Sequence, residues 1–412
     1  MPQDTLAPLK ATWYLLGPAF VAAIAYVDPG NVAANISAGA QFGFSLLWVI
    51  VIANVMAGLV QYLSAKLGLV TGHSLPETIG AQLSRPARLA FWLQAEFVAM
   101  ATDVAEVIGG AIALHILFRL PLLLGGVITG VVSLLLLRIQ DQRGQQLFER
   151  VITGLLLLIA IGFTASFFVA TPPPGDVLGG LVPQFHGKDS VLLAAAILGA
   201  TVMPHAVYLH SGLARDRHGH PDPGPRRRRL LRATRLDVGL AMVVAGGVNV
   251  AMLLVAALNM RGRGGVTSIE AAYSVVRDTV SPLVAVFFAI GLLASGLASA
   301  SVGAYAGAMI MQGLLYRSIP MLVRRLVTLA PALVILAVGL NPTRTLVLSQ
   351  VVLSFGIPFA LIPLVRLTSN RALMGIDTNH RVTTAVGWVI GVMISLLNVV
   401  LIYLTVSGNG SG

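Results

Sequence analysis

Two apolar stretches, each long enough to cross a bilayer, are broken near their centres. One runs through Asp28-Pro29-Gly30-Asn31 and the other through Ala200-Thr201-Val202-Met203-Pro204-His205. Each proline removes a backbone donor and clashes with the preceding turn. A helix broken at membrane depth frees carbonyls and amides, which are tolerated only where protein buries them or a watery cavity receives them. Two such breaks in corresponding places point to a solute site at the midplane of a secondary transporter. The first break also carries an acid, which at that depth marks function by default.

Composition supports the membrane reading. Of 412 residues, 56% are hydrophobic and 10% charged, where a soluble domain carries about 25% charge. No cysteine is present, which excludes a disulfide framework and a thiolate metal cluster. A net charge of +11 would suggest nucleic acid in a soluble chain. Here the arginines lie between apolar segments, so topology accounts for them and no nucleic-acid partner is expected. The run Trp13 to Val27 has the length of a signal-peptide core, but it breaks at Asp28 to Gly30 and then resumes instead of ending in a processing site.

A bilayer core of about 30 Å needs roughly 20 apolar residues as helix. By that rule eleven spans are expected, over 13–40, 45–70, 89–118, 121–139, 151–170, 191–213, 237–258, 280–315, 319–340, 343–367 and 383–406. With the N-terminus in the cytoplasm, only Arg119, Lys188, Arg261, Arg263, Arg277 and Arg344 of the 27 basic residues fall outside. That asymmetry predicts a cytoplasmic N-terminus and an external C-terminus. The breaks fall in spans one and six. Five is odd, so a second five-span unit enters the membrane from the opposite side. The fold class expected is an all-α polytopic membrane protein with an inverted 5+5 repeat: spans 1–5 over 1–170, spans 6–10 over 171–367, and span 11 with the C-terminus over 368–412.

The linkers are less informative. Arg215 to Arg235 holds His218, His220 and Arg226 to Arg229. A metal sensor or a lipid-binding patch would use such residues; the segment is read as a solvated topology signal. Thr171 to Asp189, with Pro172 to Pro174, reads as a plain linker. Span eight places Gly291, Ser295, Ser299, Gly303 and Gly307 at four-residue spacing, a stripe for close helix approach.

Several polar residues carry candidate chemistry. Asp28 offers carboxylate oxygens and Asn31 an amide oxygen, while Gly30 permits backbone angles closed to other residues. Asp and Asn are also good N-caps for a restarted helix, but capping alone does not explain an ionisable acid at mid-membrane. The ligand class expected is a cation or a proton. Met203 is either core filler or a soft ligand suited to later transition metals rather than Mg²⁺ or Ca²⁺. The unwound turn beside it is expected to offer a backbone carbonyl, with Ala200 as its source. Glu96, Asp103 and Glu106 of span three share an arc of roughly 80°, which suggests a proton route, structural ion pairing with Arg324 or Arg325, or both. His205 fits a protonatable role and a structural hydrogen bond equally, and Gln350 faces either the site or another helix. His210 is read as structural; His73, His115 and His186 are uninformative.

At these residues the chain resembles the Nramp family of proton-coupled divalent metal transporters, and within it the bacterial manganese transporters. The shared marks are Asp28-Pro29-Gly30-Asn31; Gly39-Ala40-x-Phe42-Gly43-x-Ser45-Leu46-Leu47-Trp48; Ala95-Glu96 through Thr102-Asp103-x-Ala105-Glu106; Met203-Pro204-His205 with Tyr208-Leu209-His210-Ser211; Leu293 to Leu297; and Ser349-Gln350-Val351. The resemblance implies the LeuT-type fold of sodium-coupled amino-acid transporters. It implies metal ligation by Asp28, Asn31, the Ala200 carbonyl and Met203, with Gln350 joining in some conformations. It also implies that Asp28, Asp103, Glu106 and His205 move protons, with Arg325 in the same network. A Mg²⁺ branch of the family lacks the methionine, so Met203 places the chain with the Mn²⁺/Fe²⁺ carriers.

No phosphate loop, His-Glu-x-x-His or Gly-x-Ser-x-Gly motif is present, so an enzyme is not expected. The expected partners are divalent transition metal ions, protons and the lipid bilayer. No resident cofactor and no obligate protein partner are expected, and the location expected is a bacterial inner membrane. A Mg²⁺ carrier of the same family and an organic-solute carrier of the same fold are the rival readings.

Overall fold

The computed structural model describes residues 17–143, 145–164, 172–262, 268–279, 281–316 and 320–406, and among them every regular element is helical. The chain opens with α1 (Pro18–Ala23), which tightens into a 3₁₀ turn (Ile24–Val27) before α2 (Pro29–Phe42). Next come α3 (Leu47–Thr71), α4 (Leu75–Gln82), α5 (Arg85–Phe118), α6 (Leu122–Arg143) and α7 (Gln145–Thr164). The second half holds α8 (Pro174–Gly179), α9 (Gly187–Thr201), α10 (Pro204–His218), α11 (Pro225–Asn259), α12 (Ile269–Thr279), α13 (Pro282–Leu315) and α14 (Met321–Val338). It closes with α15 (Pro342–Thr368), α16 (Arg371–Met374) and α17 (Arg381–Val406).

The eleven expected spans fall on these helices. Span one is the α1–α2 pair and span six the α9–α10 pair, each interrupted where the sequence places its proline. Among the described residues, seven helices are long and apolar enough to cross a membrane, with α9 and α10 taken as one. The other four expected spans are span one, α6, α7 and α14. Span one is broken, and α6 is apolar over Leu122–Leu136 among the described residues. Helix α7 is 20 residues long and carries Glu149 and Arg150, while α14 has 18 residues and carries Arg324 and Arg325. The span-one start at 13–16, the span-five end at 165–170 and the first repeat boundary at 170 lie outside the described residues.

Two linker readings change. The basic segment 215–235 is mostly helix, because α10 continues to His218 and Pro225 starts α11 with its φ already set. Part of it is paired rather than solvated. Arg215 bonds Glu77, Arg217 lies 3.5 Å from Glu149, and Arg227 lies 3.1 Å from Asp377. The second linker, described over 172–189, is also more than a spacer. Its Gly180 carbonyl accepts from the Trp48 amide at 2.9 Å, and Phe185 meets the Trp48 ring edge-on at 5.4 Å.

The small-residue stripe of α13 packs against α5, its most extensive partner. It also makes room for charge. A Cβ on Gly303 would lie 2.9 Å from a Glu106 carboxylate oxygen, and one on Gly307 would lie 1.6 Å from an Arg324 nitrogen.

Between spans two and three, Ser74 and Glu77 form a capping box at the start of α4. Burial pushes the Glu77 carboxyl up, but hydrogen bonds from Ser74 and Arg215 outweigh it and hold the group below its usual range. A depressed carboxyl contributes stability that is present above the unfolded-state value and lost as pH falls through the folded-state value. The protein in detergent should therefore lose part of its melting temperature as pH drops below about 4. Glu77→Gln should lower the neutral-pH melting temperature and flatten that acid-side decline; an unchanged profile would remove Glu77 from the account.

Candidate functional site

The first break is built by Asp28. Its backbone is extended (φ −68°, ψ 167°), and its carboxylate caps α2 by accepting the Asn31 amide at 2.7 Å. The Asn31 side-chain NH₂ donates to the same carboxylate oxygen at 2.9 Å, to the Ala200 carbonyl at 2.9 Å and to the Ala25 carbonyl at 3.4 Å. One amide thus joins both breaks. At the second break Val202 ends α9, Met203 is extended (φ −60°, ψ 122°), and Pro204 starts α10.

Capping uses only one Asp28 oxygen. Asp28 Oδ2, Asn31 Oδ1 and Gln350 Oε1 are all buried with no hydrogen-bond partner. Met203 is fully buried in the extended link, three residues after Ala200. No group of three His, Asp or Glu side chains gathers to hold a metal among the described residues. The donors available here are therefore one carboxylate with amide and carbonyl oxygens and a thioether. That mixture suits a divalent transition ion better than a hard ion seeking six or more oxygens.

Gln350 is the residue whose side the sequence left open. The structure sets its amide against Gly30, where a Cβ would lie 1.8 Å from Gln350 Nε2. Gly30 itself is helical, so here it supplies space rather than an unusual backbone angle. On the opposite side, a Cβ on Gly199 would lie 1.9 Å from the Gln350 carbonyl. These two glycines let α15 approach both broken spans.

A second polar cluster begins beside the breaks. His205 Nδ1 lies 3.3 Å from Thr102 Oγ1, and its Nε2 has no partner. The adjacent Asp103 pairs with Arg325 of α14, which also donates to Ser133 at 2.9 Å. Farther along α5, Glu96 lies 3.1 Å from Arg324. Both arginine pairings considered from sequence are therefore present. Glu106 differs: it is fully buried, and neither carboxylate oxygen receives a hydrogen bond.

Other buried polar residues were missed. Gln61 of α3 donates to the Tyr26 hydroxyl and bonds His210 Nδ1 at 2.6 Å, which gives His210 the structural role expected of it. Asn249 of α11 accepts from Asn35 at 2.9 Å and donates to the Tyr26 carbonyl at 2.8 Å. Asp237 accepts the Gly17 and Ala19 amides at 3.1 and 3.0 Å, satisfying the start of α1. The available signal was a lone amide or acid inside an apolar run, the same signal that singled out Gln350.

The two close glycines give a test by thermal unfolding in detergent. Gly30→Ala and Gly199→Ala should each destabilise by about 1–3 kcal/mol through overpacking. Adding Gln350→Ala should restore stability to Gly30→Ala, whose obstacle is a side chain, and not to Gly199→Ala, whose obstacle is backbone. Equal rescue of both would refute this packing.

Comparison with known proteins bears on the family and the fold. Residues 19–404 match the family described as natural resistance-associated macrophage protein-like, or Nramp. The chain is similar to the divalent metal cation transporter MntH of Mycobacterium tuberculosis, with 78% identity over 99% of this chain and 95% of that one. It is also similar to the crystal structure of the Eremococcus coleocola manganese transporter, with 30% identity, a TM-score of 0.85, and coverage of 97% of this chain and 88% of that one. Mhp1, a nucleobase-cation-symport-1 family transporter, has the same fold at 17% identity, with a TM-score of 0.61 over 94% of this chain and 90% of its own. The architecture is the LeuT-type inverted repeat with broken first and sixth spans. From its sequence match, its two facing breaks and its fold, the chain belongs to the Nramp family.

Proposed function

We propose that this protein is a proton-coupled symporter that imports divalent transition metal ions, Mn²⁺ foremost with Fe²⁺ and Cd²⁺ as alternative cargo, by alternating access. The observation that carries this reading is the set of unpartnered buried oxygens on Asp28, Asn31 and Gln350 beside the two facing breaks. Asp28, Asn31, the Ala200 carbonyl and Met203 are the proposed ligands, with Gln350 joining in some conformations. The relatives named as divalent metal cation and manganese transporters support that class of cargo. The metal is cargo in this proposal, with no resident cofactor.

Coupling follows from the same acid. Metal binding requires Asp28 deprotonated, so metal and proton compete for it. The released proton has polar neighbours in His205, Asp103 and Glu106, with Glu96 farther along α5 and Arg325 in the network. Alternating access would exchange the hydrogen bonds that tie α1 to its surroundings. These include the Asp237 contacts with Gly17 and Ala19 and the Gln61–Tyr26 bond. The proposed setting is the bacterial inner membrane, multi-pass, with a cytoplasmic N-terminus and an external C-terminus. Metal ions, protons and lipid are the proposed partners, without nucleic acid or an obligate protein. A Mg²⁺ carrier or an organic-solute carrier would have little use for Met203 at the second break.

The test is Mn²⁺ uptake into proteoliposomes at two external pH values, with Ca²⁺ or Mg²⁺ as competitor. Acid-stimulated uptake that excess Ca²⁺ or Mg²⁺ barely inhibits is expected. Uptake that Mg²⁺ readily blocks would favour the magnesium carrier, and no Mn²⁺ uptake would favour an organic-solute carrier. Asp28→Ala should reduce Mn²⁺ uptake to background, and wild-type uptake in that variant would remove the centre of the proposal. Met203→Ala should keep part of the Mn²⁺ transport while preference over Ca²⁺ and Mg²⁺ falls about tenfold. Unchanged preference would return Met203 to packing.

A further inference from the structure

Helix α11 is longer than the bilayer requires. Its 35 residues extend about 52 Å, against a hydrocarbon core of about 30 Å. The N-terminal surplus carries Arg226 to Arg229, Arg232 and Arg235. Arg227 turns inward, donating to the Pro221 carbonyl at 2.7 Å and pairing with Asp377. The other five are exposed, and none has a carboxylate within ion-pair distance among the described residues. Arg228, Arg232 and Arg235 fall at i, i+4 and i+7 on one face, with Arg229 at its flank. The Arg235 guanidinium lies 5.0 Å over the Tyr62 ring, and tyrosine is enriched at the level where headgroups meet the apolar core.

The same face continues into apolar surface. Leu236, Gly239, Val243 and Gly247 follow at helical spacing and are exposed, Val243 at 72%. A Cβ on Gly239 or Gly247 would meet nothing within 4 Å, so packing requires neither glycine. Together they leave the helix surface low one turn before and one turn after Val243. Arg235 to Gly247 measures about 18 Å along the helix, close to the half-thickness of about 15 Å of one leaflet. A cationic fork at the end of a leaflet-long exposed apolar face complements a phosphate attached to an acyl chain. Guanidinium groups bind phosphate in bidentate geometry.

We propose that the face of α11 from Arg228 to Gly247 binds an anionic phospholipid, with its phosphate on Arg228, Arg232 and Arg235 and an acyl chain along the Gly239–Val243–Gly247 face. The site requires only that α11 begins at a bilayer boundary. It does not depend on which metal is carried or on how transport is coupled.

Native mass spectrometry of the full-length protein in neutral detergent tests this, with phosphatidylglycerol and phosphatidylcholine of matched chains as probes. Wild type should bind phosphatidylglycerol in preference. Arg228→Gln/Arg232→Gln should weaken that binding about tenfold or more. Arg371→Gln/Arg381→Gln, which removes equal charge from exposed positions elsewhere, should leave it unchanged. Gly239→Leu/Gly247→Leu should weaken it with every arginine retained. Melting temperatures without added lipid should match wild type in all three variants. If the glutamine pair does not fold, Arg228→Lys/Arg232→Lys keeps the charge, loses the fork, and should bind more weakly than wild type. Equal loss in the two glutamine pairs would mean diffuse attraction and overturn the site. So would full binding by Arg228→Gln/Arg232→Gln, or displacement of the lipid by a glutamate-rich peptide, which would assign the arginines to an acidic protein partner.

Discussion

Backbone groups freed inside a bilayer cannot be left bare, since each unsatisfied one costs several kcal/mol. The break in span one frees three consecutive carbonyls, and each receives a side chain from a different helix. Ala25 is met by Asn31 of α2, Tyr26 by Asn249 of α11, and Val27 by the Ser295 hydroxyl of α13 at 2.5 Å. The Asn31 amide reaches the second break as well, at Ala200. The same contacts that make the break tolerable also fix where α11, α13 and α9 sit around it. What remains is a small set of oxygens with no donor, and that remainder is the candidate site.

The charged residues of α5 follow a related logic. A buried carboxylate is costly unless paired, and removing one member of a buried pair leaves an uncompensated charge. Asp103 and Glu96 meet Arg325 and Arg324 of the short helix α14. Two glycines of α13 leave room beside this network, Gly307 for Arg324 and Gly303 for Glu106. Glu106, fully buried and without a hydrogen-bond donor, stands apart from this pairing. It lies on the same helix as the two paired acids.

At the basic end of the molecule, charge is divided between two uses. Arg215, Arg217 and Arg227 tie helix ends together through Glu77, Glu149 and Asp377. The exposed arginines of α11 face outward and continue into an exposed apolar stripe. A charge count alone treats both groups as one topology signal; their directions separate them.

The sequence by itself determined the spans, the two breaks and the acids, because each is a local property. A run of apolar residues, a proline within it or a carboxylate at membrane depth carries its physical consequence wherever the chain folds. The capping role of Asp28 and the structural role of His210 were readable on the same terms, as was the small-residue stripe of α13. Only the tertiary structure decided what depends on distant segments meeting. It put Gln350 against Gly30, joined Asn31 to Ala200 across 169 positions of chain, and sent Asn249 and Ser295 to the carbonyls of span one. It also divided the arginines of segment 215–235 between buried pairing and the exposed face. A hydrogen bond between remote residues has no local signature: its donor looks like any lone polar residue in an apolar run until the fold supplies the acceptor.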